Sequence, residues 1–394
     1  MYRLIIALFL VMGVNIVFAQ QSTDFKTVDS TTFAQYNGQF WDELVQTGEN
    51  ALAQNIDYFY LRVRLGAAYF QLKKYREAEV HFNKAYQFNN DDAFLNEYLY
   101  FTYIKNEHFD HAQKLSASFD STLKARTVGK DLPISLIYTE SGGKISNDAT
   151  LYNNAFYFQF GLGHRLSKYL NFTHAYTNYS QNAFYGSVAQ HQYYLGVRIP
   201  VKMSLSISPA LHYVTFNLDK STATNSTLKN NSQTTTTGIV GSLSIKKSFN
   251  YVDFTASYAY SNLNDSVQNQ QTINATLYPF ANNKLSISGN YFLQQRSNQS
   301  NIFTAFSLGL NYTPSSKFKI SASYYSGNLK TNTEENGFVV NNSYFVTTSR
   351  FILMPQIAIH PKLDIYTMYQ LENKALYDSK FQYNNIFLGL KFKF

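Results

Sequence analysis

The feature that most constrains this chain is a period-2 alternation of apolar and polar side chains that recurs from about residue 132 to the end. Its last instance, Lys380–Phe394 (KFQYNNIFLGLKFKF), sets Ile386, Leu388, Leu390, Phe392 and Phe394 on one face, with Asn385, Lys391 and Lys393 between them. Such alternation belongs to a strand with an apolar medium on one side and a polar one on the other. Phe156, Phe158, Phe160 and Leu162 likewise oppose Tyr157, Gln159, Gly161 and Arg165, and Val252, Phe254, Ala256, Tyr258 and Tyr260 oppose Asp253, Thr255 and Ser257. Phe306, Leu308, Leu310 and Tyr312 oppose Ser307, Gly309 and Asn311, and Leu285, Ile287 and Tyr291 oppose Ser286, Ser288 and Asn290. The runs are near ten residues, longer than the usual five or six of a soluble sandwich.

Counting by turns gives strands near 132–140, 153–165, 169–179, 188–200, 203–216, 236–247, 251–262, 270–279, 284–295, 302–313, 318–327, 343–360, 363–373 and 382–394. Short connections, such as Val201-Lys202 and Pro361-Lys362, alternate with longer polar ones at Ser141–Tyr152, Asn217–Thr235 and Gly327–Asn342. With Tyr169, Tyr251, Tyr312, Phe318 and Phe392 collecting on the short-turn side, the pattern resembles that of bacterial outer-membrane β-barrels. The resemblance implies a transmembrane antiparallel barrel over 132–394 of about 14 strands, with 12 or 16 compatible with slipped boundaries. It also implies outer-membrane lipid as the surrounding medium, and an assembly machinery that reads the terminal strand ending in Phe394.

Composition agrees with alternating strands rather than apolar helices. Aromatic residues are 17% of the chain, almost all Tyr and Phe, and charged residues only 15%, yet the mean hydropathy is −0.28. There is no cysteine, which removes disulfides, zinc thiolates and thiol nucleophiles. The net charge of +8 is uneven: residues 20–129 hold 11 Lys/Arg against 14 Asp/Glu, and residues 130–394 hold 21 against 11. The basic residues are scattered singly, so no nucleic-acid partner is expected. Arg3 precedes an apolar run from Leu4 to Phe18, closed by small residues around Ala19. The run is short for a bilayer span and reads as a signal peptide over 1–19, followed by a linker over 20–30.

Between 31 and 125 the alternation gives way to helical spacing. Leu65, Gly66, Tyr69, Tyr75, Ala78, Phe82 and Ala85 recur at an interval of 34 residues: Leu99, Tyr103, Phe109 and Ala112 follow, and Trp41, Leu44 and Ala51 precede. The pattern resembles the tetratricopeptide repeat, with departures at Arg62, Tyr100 and Ser116. The resemblance implies antiparallel helix pairs forming a periplasmic scaffold for a protein partner, with Tyr60, Val63, Ala67, Phe70 and Gln71 facing the concave groove; a packing spacer that plugs or braces the barrel is the alternative. A second linker is expected at 126–131. The fold class expected is therefore α + β in two domains: a short helical-repeat region, then the barrel.

The two parts together resemble exopolysaccharide-export proteins that join such repeats to a barrel. This implies an outer-membrane channel or export component; a non-conducting anchor presenting the repeats is the alternative. By phase, Arg165, Arg198, Lys246, Lys319, Arg350, Lys391 and Lys393 face the lumen, with Asp253, Asp364 and Glu372 on the same face. A basic lumen favours anionic solutes unless these charges pair among themselves. His174 and His191 fall on the lipid phase of consecutive strands, as possible cross-strand neighbours close to Ser180 and Ser187. They are the only basis for a third reading, a lipid-modifying enzyme. GxSxG, HExxH, P-loop and dense carboxylate motifs are absent, so neither enzyme activity, metal nor cofactor is expected.

Overall fold

The computed structural model describes residues 24–394 apart from 129–132, 149–151, 168, 203, 225, 264–265, 298, 300 and 377–378. The expected leader over 1–19 lies outside the described residues, as do 20–23 and much of the second linker.

Seven described helices come first: α1 Phe25–Asn37, α2 Trp41–Ala53, α3 Phe59–Gln71, α4 Tyr75–Phe88, α5 Ala93–Lys105, α6 Phe109–Ser116 and α7 Ser121–Thr127. Helix α1 begins inside the stretch expected as linker. Asp24 supplies its N-cap by accepting from the Thr27 amide, as Asp92 does for Leu95 and Asp120 for Leu123. Helix starts recur at Phe25, Phe59 and Ala93, and at Trp41, Tyr75 and Phe109, a constant interval of 34 residues. The turns between paired helices repeat too, with Gln39, Lys73 and Glu107 each left-handed (φ near 60°). Leu44, Leu61, Leu65, Phe82, Leu95 and Leu99 are fully buried in the seam. No helix among the described residues is long and apolar enough to cross a membrane.

The strands are β1 Ile134–Ser146, β2 Tyr152–Ser167, β3 Leu170–Ala183, β4 Gly186–Lys202, β5 Leu205–Asp219, β6 Gln233–Ser248 and β7 Val252–Leu263. They continue with β8 Ser266–Leu277, β9 Leu285–Arg296, β10 Ile302–Ser315, β11 Phe318–Glu334, β12 Val339–His360, β13 Leu363–Leu376 and β14 Ser379–Lys393. All fourteen close into one antiparallel barrel, in which β1 pairs with both β2 and β14. Closure leaves no unpaired edge, the condition for a sheet in an apolar medium. The seam runs from Leu136 opposite Lys393 to Ser146 opposite Tyr383, so the terminal stretch Lys380–Phe394 is the closing strand.

The alternation sorts side chains as the sequence requires. Phe160, Leu243, Phe254, Ile273, Leu308, Ile357 and Leu388 are each 45–58% exposed on the outer wall. Gln159, Thr177, Gln192, Ser244, Asp253, Gln268 and Gln294 are buried inside. Tyr169, Phe249, Tyr251, Phe280, Tyr312, Phe392 and Phe394 ring the short-turn rim from outside.

One connection departs from expectation. Residues 327–342, expected as a long polar loop, belong to an extended hairpin continuous with β11 and β12. Pairing of β11 with β10 ends at Gly327, and pairing of β12 with β13 begins at Val346. Between these points the two strands pair only with each other, from Thr331 opposite Asn342 to Glu334 opposite Val339. The freed hairpin turns inward and fills part of the lumen. Its polar composition suited a solvated loop equally well, because backbone and polar side chains inside a barrel also need partners.

Candidate functional site

The lumen is obstructed at two levels. At the short-turn rim the obstruction is the helical domain, seated through the start of α4, the start of α6 and the turns before them. The Arg76 amide donates to the Ala281 carbonyl at 2.9 Å, and its guanidinium donates to the carbonyls of Asn250 (3.0 Å) and Phe249 (3.2 Å). The same guanidinium pairs with the buried Asp253 carboxylate and lies 3.7 Å from the centre of the Tyr278 ring. Lys246 takes the other Asp253 oxygen at 2.8 Å. Asn282 and Asn283 donate to the carbonyls of Lys73 and Lys105 at 2.9 and 3.1 Å, and Gln113 donates to the Ser167 carbonyl at 2.9 Å. The footprint thus covers the turns after β2, β4, β6 and β8.

Two acid–histidine pairs complete this clasp. Glu79 holds His108 Nδ1 at 2.9 Å, while His108 Nε2 faces Ser248 Oγ at 3.3 Å and Glu79 also accepts from Ser204. Ser206 Oγ donates to Asp110 at 2.8 Å and meets His111 Nε2 at 3.3 Å. Burial pushes the Glu79 carboxyl up, but His108, Ser204 and Asn106 outweigh it and hold the pKa at about 2. Burial pushes His111 down to about 4 against the opposing pull of Asp110. The acid–His–Ser order of Glu79, His108 and Ser248 has the form of a nucleophilic relay, yet all three are buried where the two domains meet. Separating the domains to admit a substrate would take the serine away from its histidine. The geometry performs docking.

The second obstruction is the β11–β12 hairpin. Gln270 donates to the Thr333 carbonyl at 2.5 Å and accepts from the Thr333 amide at 3.1 Å. Thr331 donates to Gln268 at 2.6 Å, and Gln294 donates to the Thr331 carbonyl. The tip is a run of left-handed residues, Glu335, Asn336 and Gly337. Asn336 donates to the Ser208 carbonyl and accepts from Ser242, both at 2.8 Å, and the Gly337 carbonyl meets His212 Nδ1 at 2.7 Å. A Cβ at Gly337 would sit 2.9 Å from Ser242 Oγ, and its φ of +77° is strained for other residues. Phe338 packs edge-on to Tyr194, with ring centres 5.0 Å apart. Ser208 lies three residues into β5, so the tip comes within about 10 Å of the short-turn rim along the strand.

Near the long-loop rim charged side chains cluster inside the barrel. Glu372, 1% exposed, meets Lys374 at 3.1 Å and Lys144 at 3.4 Å, and Arg350 pairs with Glu334 of the hairpin at 2.6 Å. Buried Tyr383 and Phe381 pack beside this cluster.

The expected site residues separate accordingly. Lys246, Arg350 and Lys393 face inward but are neutralised by Asp253, Glu334 and Asp364. Arg198 is exposed within electrostatic range of Asp110 in the helical cap. Arg165 is half-buried, with its amide bonded to the Pro133 carbonyl at 2.7 Å. Lys319 and Lys391 are half-buried and belong to no ion pair among the described residues. Of the expected groove, Tyr60 (61%) and Gln71 are exposed, and Phe70 is half-buried against Tyr75 and Tyr98. Val63 and Ala67 are buried, so these two present no open groove surface; neighbouring helices cover them.

His174 and His191 face outward but are not cross-strand neighbours. His174 stands opposite Leu195, and His191 opposite Asn178. His174 Nε2 lies 2.9 Å from His164 Nε2 and its Nδ1 2.6 Å from the Tyr193 hydroxyl; His191 pairs with Tyr176 at 2.8 Å. His164 was not among the expected residues; it is brought beside His174 by the β2–β3 register, in which Leu162 stands opposite His174 and His164 opposite Phe172. Among the described residues no three His, Asp or Glu side chains converge to hold a metal.

A closed fourteen-stranded barrel, apolar outside and polar inside, with a helical domain seated in one mouth, is the class these features define. No family model and no curated protein matches the chain. Among solved structures it is similar to the toluene transporter TbuX of Ralstonia pickettii, at 10% identity over 67% of this chain and 90% of that one, TM-score 0.46. It is also similar to the toluene transporter TodX of Pseudomonas putida (8%, 67% and 90%, TM-score 0.44). A third is the outer membrane protein Omp33 of Acinetobacter baumannii (12%, 66% and 99%, TM-score 0.38).

Proposed function

We propose that this chain is an outer-membrane channel or export component whose short-turn rim and tetratricopeptide-type repeats face the periplasm, where the repeats recruit a partner protein. The observation that carries the reading is the pairing of an apolar outer belt with a polar lumen around a closed barrel. Water on both sides would leave that belt without purpose, whereas lipid outside and solute inside use both faces. The constant helix interval supports the repeat assignment, and exposed Tyr60, Phe33 (54%) and Phe94 (40%) supply surface for a partner.

A non-conducting anchor is the second reading, favoured by the two stacked obstructions. Planar-bilayer recording separates them. Gated channel steps from the full chain, or from a variant with the hairpin shortened between Leu329 and Phe345, support transport. Silence from both, and from a variant lacking the helical domain, supports the anchor. Leu308→Lys tests the membrane itself: at mid-belt a lysine should cost about 2–4 kcal/mol of barrel stability in lipid and little in water.

A further inference from the structure

The outside of the wall is not uniform. Near the long-loop rim, side chains of five neighbouring strands border a trough of about 590 Å³. On each strand two outward residues flank one inward residue whose backbone forms the floor: Asn154 and Phe156 flank Ala155 on β2, and Asn217 and Asp219 flank Leu218 on β5. The floor residues Ala155, Gln181, Val188, Leu218 and Thr234 stand opposite one another in register, so the trough crosses the strands from β2 to β6. Strand spacing makes it about 19 Å long, and its two flanking rows lie about 7 Å apart. The row nearer the apolar belt includes Phe156, Ser180, Asn217 and Thr235, and the row nearer the rim includes Asn182, Ser187, Asp219 and Gln233. Above the second row the turn Lys220–Thr222 forms a lip, held to β4 by the Ser187 amide, which donates to Thr222 Oγ1 at 2.7 Å.

The lining is polar but almost uncharged. Its Asn, Gln, Ser and Thr side chains carry both donors and acceptors. Asp219 is the one charged residue among the described residues that line it, and no Lys or Arg is among them. The Ser221 amide and hydroxyl fix one Asp219 oxygen at 2.9 and 2.6 Å, whereas Gln233 reaches the other only at 3.4 Å. Thr235 donates to the Asn217 side-chain carbonyl at 2.8 Å, a bond that fixes the amide and does not use its N–H donors. Phe156, 51% exposed, ends the trough on β2, and Phe158 and Phe160 continue from it down the apolar belt. A phosphate here would meet a carboxylate and no cation. A peptide strand would find no free backbone edge in a closed barrel. An uncharged, hydroxyl-rich ring can use the amides, the fixed carboxylate and the exposed aromatic face together.

We infer that the trough binds the uncharged sugar headgroup of a membrane glycolipid whose acyl chains lie along Phe158 and Phe160. The inference rests on the membrane reading of the barrel and goes beyond it by assigning a lipid class to one sector of the outer wall. The step is binding alone.

Native mass spectrometry of the full chain in a zwitterionic detergent, with a dihexosyl diacylglycerol added, tests it without requiring conduction. The expected result is one glycolipid retained per chain, with affinity weakened about 10- to 30-fold in Asn217→Ala/Asp219→Ala, as the loss of two hydrogen bonds to one ligand predicts. Phe156→Ala should weaken retention as well. Gln295→Ala, exposed on the outer face of β9, should bind as the parent does. No retained glycolipid, or a double variant that binds as the parent does, would overturn the proposal. Phosphatidylglycerol of the same chain length held equally well would overturn it, because the headgroup would then go unread. The free disaccharide held as tightly as the glycolipid would overturn it too, because the belt would then contribute nothing. Heat-modifiable migration verifies that each variant is folded, and the single Asn217→Ala change replaces the double if that does not fold. Flotation with phosphatidylcholine liposomes checks the membrane reading separately: a chain that floats but retains no glycolipid loses the site alone, and a chain that does not float loses the membrane.

Discussion

Gln270 offers the most direct test of whether the hairpin is a movable stopper. Its amide grips the Thr333 peptide from both ends, donating to the carbonyl and accepting from the amide, and the residue is 5% exposed. Gln270→Ala removes both bonds at once and leaves two backbone groups to find water in a narrow lumen. Each neutral bond contributes about 1 kcal/mol net, and an unsatisfied buried group costs about 1–3. The docked hairpin should therefore lose about 2–3 kcal/mol relative to an undocked one, shifting their ratio about 30- to 150-fold. Open probability in a planar bilayer should rise in proportion, and proteolysis near Glu335–Gly337 should become faster. Gln294→Ala should act in the same direction but not additively, since Gln294 faces Gln270 across the β8–β9 pair. Gln271→Ala, on the exposed outer face of the same strand, is the control. If Gln270→Ala leaves both open probability and cleavage at control values, the hairpin is a fixed core and the gating argument fails.

Asp253→Ala should strand the Arg76 guanidinium in the closed interface and weaken helical docking by about 3–5 kcal/mol, seen as faster proteolysis at the domain junction. The apolar pair Arg76→Met/Asp253→Leu should lose less, because the buried guanidinium goes with its carboxylate and only the part-exposed Lys246 is left without a partner. Acid should release the cap as well. A released His111 titrates near its ordinary value of about 6.5, whereas burial beside His108, Asp110, Glu79 and Lys114 holds the docked ring at about 4. The released state binds the proton that the docked state refuses, so this support is complete above pH 6.5. It falls by up to about 3 kcal/mol as pH drops toward 4. Glu79 keeps His108 and Asn106, partners from its own domain, when the cap is released, so its low pKa is not linked to docking. Hydrogen exchange in α4 and α6 against pH should follow the His111 window, and flat exchange down to pH 4 would contradict it. Gly389→Ala should push the Tyr366 ring aside and lower the temperature of heat-modifiable migration, by about 1–3 kcal/mol of overpacking.

The wall was legible in the sequence because each strand has one face in an apolar medium, and that condition writes itself into every second residue. Strand ends were less legible at the long-loop rim, where β1 runs on to Ser146 and β5 to Asp219 through residues as polar as loops. The hairpin was invisible for a related reason: Thr331, Asn332, Thr333 and Asn341 serve equally well in water or against Gln268 and Gln270. Alternation sets the phase of Lys246, Arg350 and Lys393 but leaves open whether they pair; each meets a carboxylate. Whether Lys246 or Lys391 keeps its charge free depends on partners that the fold brings from distant strands and, for Asp253, on Arg76 of another domain. His164 continues the outward phase of Phe156, Phe158, Phe160 and Leu162, and that phase together with the short connection after β2 was the signal that could have set it beside His174.

The hairpin also bears on how the barrel can form. Its partners on β5, β6, β8 and β9 precede it in the chain, and the seam that closes the ring joins the first strand to the last. A hairpin deep in a finished ring would have to thread past the Glu372 cluster and the aromatic side chains near the long-loop rim. It is more readily laid against an open, half-curled sheet, whose concave face carries the glutamines and serines that hold it. On this account the segment that stops the finished pore is a mould around which the last two strands, β13 and β14, wrap. A variant with the hairpin shortened should insert into membranes more slowly, even where its finished barrel is equally stable.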